Sequence, residues 1–175
     1  MVSDAEILNS NILIADDYYT NVLLLEKMLH GAGYTCVAST IDPYKVLELH
    51  RNNRYDLILL DLQMPGLDGF LLMEGLKKIE EDSYLPVIAI TAQPSYKLRA
   101  LAAGAIDFVA KPFDLGEVQV RIYNMLKVRL LYKKLENTNK VLEQTLLERT
   151  AELAASERRL NQLTSQSPNP PWEPQ

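Results

Sequence analysis

Asp56-Leu57-Ile58-Leu59-Leu60-Asp61 is an aliphatic run that ends on a carboxylate, and Leu62-Gln63-Met64-Pro65-Gly66 follows at once. A run this short and this apolar reads as a strand buried on both faces, and the proline and glycine after it as a loop. Asp61 therefore stands where a buried strand runs out, a position suited to chemistry. Three other apolar runs end on polar groups. Asn11-Ile12-Leu13-Ile14-Ala15 is followed by Asp16-Asp17, Val87-Ile88-Ala89-Ile90 by Thr91, and Phe108-Val109-Ala110 by Lys111. In a parallel sheet these ends share the edge at which open α/β folds bind ligands. Three acids, a hydroxyl and an ammonium converging there make a magnesium and phosphoryl site.

Working outward, strands are expected at 11–15, 34–38, 56–60, 86–90 and 107–110. Amphipathic segments at 19–32, 43–53, 69–80 and 95–103 separate them, and a further helix opens near Leu115. Gly31-Ala32-Gly33 and Gly104 supply helix stops, and Asp42-Pro43 reads as a cap with proline in the first helical position. Alternating strand and helix imply a doubly wound parallel sheet with helices on both faces.

The composition is that of an ordinary globular chain, with 47% hydrophobic and 23% charged residues in 175. A net charge of −5 without a Lys/Arg block argues against direct nucleic-acid binding. No stretch approaches the roughly 18 apolar residues of a membrane span, so a cytoplasmic location is expected. The one cysteine, Cys36, lies in the apolar run 34–38 and reads as a packed thiol. Tyr18-Tyr19, beside the acidic pair, read as packing residues, with a part in docking a kinase as the alternative.

After Leu115 the character changes. Proline is absent up to residue 164 and a heptad frame fits from Met125. Its a positions are Met125, Tyr132, Asn139, Leu146, Leu153 and Leu160; its d positions are Val128, Leu135, Leu142, Arg149, Ser156 and Leu163. Nine of these twelve are apolar or aromatic, which favours a coiled coil and a parallel homodimer over a lone helix. Asn139 at an a position either sets the register or is merely tolerated, and Glu152 and Glu157 would repel across the pair. The expected divisions are an extension at 1–9, a domain at 10–128, a coiled-coil helix at 129–164 and a Pro-rich tail at 165–175. Within that tail, Trp172 reads as the edge of a following domain.

Magnesium prefers hard oxygen ligands and keeps several waters, so one or two carboxylates suffice when a phosphate supplies the rest. Asp17 and Asp61 are the expected direct ligands, with Asp16 nearby or acting through water; Mn²⁺ is an acceptable substitute. Asp61 is the candidate nucleophile, since a carboxylate can attack phosphorus to give an acyl phosphate. Lys111 would pair with one phosphoryl oxygen and Thr91 donate to another.

These residues carry a resemblance. Asp16-Asp17, Asp61-Leu-Gln-Met-Pro-Gly-Leu-Asp-Gly69, Thr91-Ala92 and Gly104-Ala-Ile-Asp-Phe-Val-Ala-Lys-Pro-Phe113 together resemble the receiver domain of bacterial two-component response regulators, of the chemotaxis-regulator type, over residues 10 to about 128. The resemblance implies a flavodoxin-like sheet in the order 2-1-3-4-5. It implies phosphorylation of Asp61 by a phosphohistidine of a sensor histidine kinase or phosphotransfer protein. It also implies a metal site completed by the Gln63 backbone carbonyl, a cis Lys111-Pro112 bond, and a switch formed by Thr91, Ala92 and Phe108. Gln63, two residues after Asp61, falls where the family tunes phosphoryl lifetime. Pro94 should stiffen the start of the 95–103 helix.

Two other readings compete. A magnesium phosphohydrolase with an aspartyl nucleophile would want an acid at position 63, which is Gln63. A nucleotide binder would want glycines after the first strand, which instead reads Asp-Asp-Tyr-Tyr. The C-terminal helix has no histidine, the last being His50, so it cannot be a kinase's phosphoaccepting helix; no glycine follows Gly116, so it carries no cyclase signature. Glu148-Arg-Thr-Ala-Glu-Leu153 and Glu157-Arg-Arg-Leu160 resemble linkers to PAS modules and then to cyclase, phosphodiesterase or kinase domains. The output is expected to lie outside this chain, with a receiver and coiled coil complete in themselves as the alternative.

Overall fold

The computed structural model describes residues 1–80 and 84–165. Five parallel strands, β1 (Ile12–Ala15), β2 (Val37–Thr40), β3 (Leu57–Asp61), β4 (Val87–Thr91) and β5 (Asp107–Ala110), form one sheet in the order β2-β1-β3-β4-β5. Between and around them lie α1 (Asp4–Leu8), α2 (Tyr19–Gly31), α3 (Val46–Asn53), α4 (Gly69–Ile79), α5 (Lys97–Ala103) and α6 (Leu115–Ser165). The doubly wound parallel sheet is the one the alternation of elements implies, and its order is the one the family resemblance implies.

Every residue of β1, β3 and β4 is buried, which is why their sequences run apolar without alternation. The period of two is nonetheless there, split between two layers. Leu13, Ala15, Ile58, Leu60, Val87 and Ala89 pack with Val46, Phe70, Leu72, Met73, Leu76 and Ala100 of α3, α4 and α5. Ile12, Ile14, Leu57, Leu59, Ile88 and Ile90 pack with Ile7, Val22, Leu25, Leu29, Val118, Ile122 and Leu126 of α1, α2 and α6. Each of the larger side chains, Val, Leu, Ile, Phe or Met, contributes about 1.5–3 kcal/mol on full burial, so the layers hold the strand ends firmly.

Residues 1–9, expected as an extension, carry α1. Its cap is a reciprocal box in which Ser3 accepts from the Glu6 amide while the Glu6 carboxylate accepts from Ser3. Ile7 is fully buried and Tyr123 donates to Asp4 at 2.7 Å, so α1 belongs to the second layer. Asp42 caps a 3₁₀ turn, Pro43–Lys45, that leads into α3; Pro94 opens a matching turn, Pro94–Tyr96, before α5. Asp68 caps α4 by accepting from Phe70 at 2.9 Å. The following Gly69 is required, because a Cβ there would lie 2.7 Å from Leu62 Cα.

Three local expectations are corrected. β2 begins at Val37 rather than at residue 34, and Cys36 in the preceding loop is exposed, not packed. β2 is an edge strand and half-buried, so its flanking residues do not share the burial of the centre. Tyr18 and Tyr19 are likewise 63% and 62% exposed rather than packed.

The chain divides into two compact units, Met1–Lys133 and Lys134–Gln175. The expected domain limit at 128 falls inside α6, and buried charges bind the next residues of that helix to the first unit. Arg129, 6% exposed at its side chain, donates to the Tyr84 carbonyl and stands 3.5 Å from Glu80. Glu80 accepts from His50 at 3.0 Å and Arg54 at 3.1 Å. Tyr132 stacks on Tyr84 with centroids 4.8 Å apart. In the second unit the described residues are helical, and Leu135, Leu142, Leu146, Leu153 and Leu160 of α6 are all more than half exposed. Asn139, Arg149 and Ser156 are exposed too. Beyond Ser165 the Pro-rich tail and Trp172 lie outside the described residues.

Candidate functional site

The four strand ends meet. In register, Asp61 pairs with Ile90 and Thr91 with Ala110, so the end of β3 stands beside that of β4, and β4 beside β5. Ligand atoms of Asp16, Asp17 and Asp61 all lie within 4.8 Å of one another. The Lys111 ammonium reaches between them, donating to Asp16 Oδ2 at 2.7 Å and to Asp61 Oδ2 at 2.6 Å. The Lys111–Pro112 peptide is cis.

The three carboxylates differ in what they have left to offer. Asp16 is saturated: Oδ1 accepts from the Tyr18 amide at 2.9 Å and Asn21 at 3.1 Å, and Oδ2 accepts from Asn21 at 3.0 Å and Lys111. Asp61 accepts from the Gln63 amide on Oδ1 at 2.8 Å and from Lys111 on Oδ2. Asp17 Oδ1 is buried and has no hydrogen-bond donor among the described residues.

Their surroundings act on the charges in opposite senses. Burial raises the pKa of Asp17, and the negative charges of Asp61 and Asp16 add to the rise. Burial alone would lower the pKa of Lys111, but hydrogen bonds and charge from Asp16 and Asp61 outweigh it, leaving the ammonium above its usual range. Lys111 is thus held charged, and Asp17 is a carboxylate short of a cation. An orphaned oxygen among three acids fits a divalent ion with oxygen ligands. Asp17 and Asp61 have the lone pairs for it, and Asp16 does not.

Thr91 is fully buried; its hydroxyl donates to Gln63 Oε1 at 2.9 Å and accepts from the Gln93 amide at 3.2 Å. A cleft of about 410 Å³ opens over the site, lined by Tyr18, Asn21, Asp61, Gln63, Ala92 and Lys111. Phe108 is not among these residues; it packs, half-buried, against the layer of α3, α4 and α5. Asn21 escaped sequence reasoning. The available signal was a polar amide one turn into α2, five residues after Asp16, facing the acidic pair.

Comparison with known proteins agrees with this geometry. The family profile described as "Response regulator receiver domain" matches residues 12–123. The response regulator PleD of Caulobacter vibrioides is 34% identical over 130 residues, covering 73% of this chain and 28% of PleD. The cyclic di-GMP phosphodiesterase response regulator RpfG of Xanthomonas campestris pv. campestris is 33% identical over 154 residues, covering 86% of this chain and 41% of RpfG. The chain thus spans less than half the length of either relative. Among solved structures, the receiver domain of sensor histidine kinase PA1611 from Pseudomonas aeruginosa is 31% identical with a TM-score of 0.62. It covers 68% of this chain and 98% of that one, and it was solved with a magnesium ion coordinated in its active site cleft. With the sheet order, the acidic edge and the profile in agreement, the chain belongs to the response regulator receiver domains of two-component phosphorelay signalling.

Proposed function

We propose that Asp61 is the phosphoacceptor, taking a phosphoryl group from the phosphohistidine of a sensor histidine kinase or phosphotransfer protein. The observation that carries this reading is the position of Asp61 Oδ2, 2.6 Å from the Lys111 ammonium on a rigid buried strand. A carboxylate oxygen attacks phosphorus, the P–N bond to imidazole breaks, and an acyl phosphate forms. Little covalent chemistry is left for the protein, so its work is positioning and charge neutralisation.

Lys111 trades its contact with Asp61 for one to a phosphoryl oxygen, and Asp16, anchored by Asn21 and the Tyr18 amide, holds it in place. Thr91 and the Ala92 backbone bind the other oxygens, and Phe108 follows Thr91 as the readout. Asp17, Asp61 and the Gln63 carbonyl would hold Mg²⁺, with Mn²⁺ as a substitute. When bound, that ion supplies neutralisation of the charge gathered at the transferring group. Gln63 also tunes how long the phosphoryl group lasts.

For transmission, we propose that the C-terminal part of α6 pairs in parallel with a second copy through Tyr132, Leu135, Asn139, Leu142, Leu146, Leu153 and Leu160. The exposed leucines support this, since a lone helix would leave them in water. The match to RpfG, longer than the family profile, supports a helix that leads to an output module of PAS, cyclase, phosphodiesterase or kinase type.

Acetyl phosphate with Mg²⁺ should add one phosphoryl group, detected by intact mass, and Asp61→Asn should abolish it. Labelling that survives in the variant refutes the assignment, and rapid turnover of unrelated phosphoesters would favour a phosphohydrolase instead. Leu142→Asp with Leu146→Asp should halve the mass seen by sedimentation; an unchanged mass removes the pairing from this helix.

A further inference from the structure

We propose that Gln63 is a positioning residue acting through Thr91: its carboxamide occupies the Thr91 hydroxyl in the unphosphorylated protein, and a phosphoryl group on Asp61 must take that hydroxyl away. This rests on Asp61 being the phosphoacceptor. A threonine hydroxyl has a single proton to donate, and here it is given to Gln63 Oε1 at 2.9 Å. The lone-pair side is engaged by the Gln93 amide at 3.2 Å, which orients the hydroxyl further. Thr91 is fully buried at the end of β4, so water is a poor alternative partner. The proton cannot serve a phosphoryl oxygen until Gln63 releases it.

Gln63 is built to hold both ends of the site at once. Its backbone amide donates to Asp61 Oδ1 at 2.8 Å while its side chain reaches across to β4. The side chain is exposed and lines the cleft with Asp61, Ala92 and Lys111, so it is free to swing away. Length matters here. An asparagine, one methylene shorter, falls short of Thr91 by roughly 1.5 Å on the same backbone. Two acceptors, an amide oxygen and a phosphoryl oxygen, thus compete for one proton, and the identity of residue 63 sets the handicap.

The consequence is quantitative. A neutral hydrogen bond is worth about a two- to tenfold factor in an equilibrium. Gln63→Ala should therefore bind the phosphoryl mimic beryllofluoride, with Mg²⁺, about two- to tenfold more tightly than the wild type. Gln63→Asn should fall near Gln63→Ala. In a Thr91→Val background, which has no proton to contest, Gln63→Ala should change nothing; this double-mutant cycle separates action through Thr91 from direct action on the ligand.

A second readout needs no metal. Nuclear magnetic resonance of the unliganded full chain should show the Thr91 and Gln93 signals moving in Gln63→Ala. Equal beryllofluoride affinity in wild type and Gln63→Ala overturns the proposal, as does an effect of Gln63→Ala that persists in the Thr91→Val background. Unmoved Thr91 and Gln93 signals overturn it as well. A wild type that takes up no beryllofluoride at all, while those signals still respond to Gln63→Ala, would instead overturn the phosphoacceptor reading and the competition with it.

Discussion

Asp56 accepts the Lys133 ammonium at 2.6 Å, joining the residue before β3 to α6 across 77 positions of the chain. The two partners are unequal: the Lys133 side chain is 43% exposed and that of Asp56 only 6%. The same carboxylate accepts the Asn11 amide at 3.0 Å and stands 4.0 Å from Arg129, itself 6% exposed. Lys133→Met should cost less than about 1 kcal/mol, as exposed pairs do. Asp56→Ala leaves the part-buried Asn11 amide without its acceptor and takes one carboxylate from beside Arg129, which keeps Glu80, and should cost about 1–3 kcal/mol. Urea unfolding followed by near-ultraviolet circular dichroism measures both, and similar small losses would show the carboxylate to be well solvated.

His50 gives the fold an acid limit. It is fully buried, and burial lowers its pKa below the ordinary 6.5 despite the opposing pull of Glu80; Arg54 and Arg129 add to the lowering. Its Nε2 donates to Glu80 at 3.0 Å, and its buried Nδ1 has no hydrogen-bond partner among the described residues. The folded protein therefore keeps the ring neutral where the unfolded chain takes up a proton near pH 6.5. Stability from this residue is present above that pH and lost as the pH falls below it, with a slope of at most about 1.4 kcal/mol per pH unit. His50→Gln should flatten the fall in urea midpoint between about pH 7.5 and 5.5, the range in which an unfolded histidine titrates. An identical fall in both proteins would assign it to other groups.

Two glycines of α4 make a matched pair. At Gly69 an added Cβ meets Leu62 backbone, 2.7 Å from Cα and 3.0 Å from the carbonyl oxygen. At Gly75 it meets only the end of the Leu47 side chain, at 2.8 Å. Gly69→Ala should cost about 1–3 kcal/mol by overpacking. Gly75→Ala should come out near neutral, because a helix interior gains about 1 kcal/mol from the same change. Thermal unfolding of both variants tests this, and a milder loss at 69 than at 75 would contradict the packing described.

Asp17→Asn tests the acidic pocket. It removes a carboxylate that burial and two neighbouring acids disfavour, so the metal-free variant should melt above the wild type. Added Mg²⁺ should then stabilise the wild type by about 2.7 kcal/mol at a hundredfold excess over its Kd, and the variant far less. Equal responses to the metal would remove Asp17 from the ligand set.

The strand ends were legible because their information is local: an apolar run, then a polar group. Asp61, Thr91 and Lys111 each follow directly on such a run; the alternation of elements implies a parallel sheet, and its order came from the family resemblance alone. What stayed hidden is long-range or depends on the sheet's rim. Cys36 sits in a run that reads like a strand, yet precedes an edge strand whose residues are half-buried. The Glu80–Arg129 contact was not legible, since nothing in the sequence brings positions 49 apart together. Asn21 and the Gln63–Thr91 contact escaped for the same reason. α1 was missed with its signal in view, as Ser3 and Glu6 spell a capping box.

Lys111 cancels one of the pocket's three carboxylates, and the side chains that remain carry two formal negative charges. An anionic phosphoryl donor approaching that bare pocket meets repulsion, whereas a pocket holding a divalent cation is electrically neutral. On the proposed function, a count of side chains would set the order of events: cation first, donor second. Asp16, Asp17, Asp61 and Lys111 would then act together as a lock that a divalent cation opens.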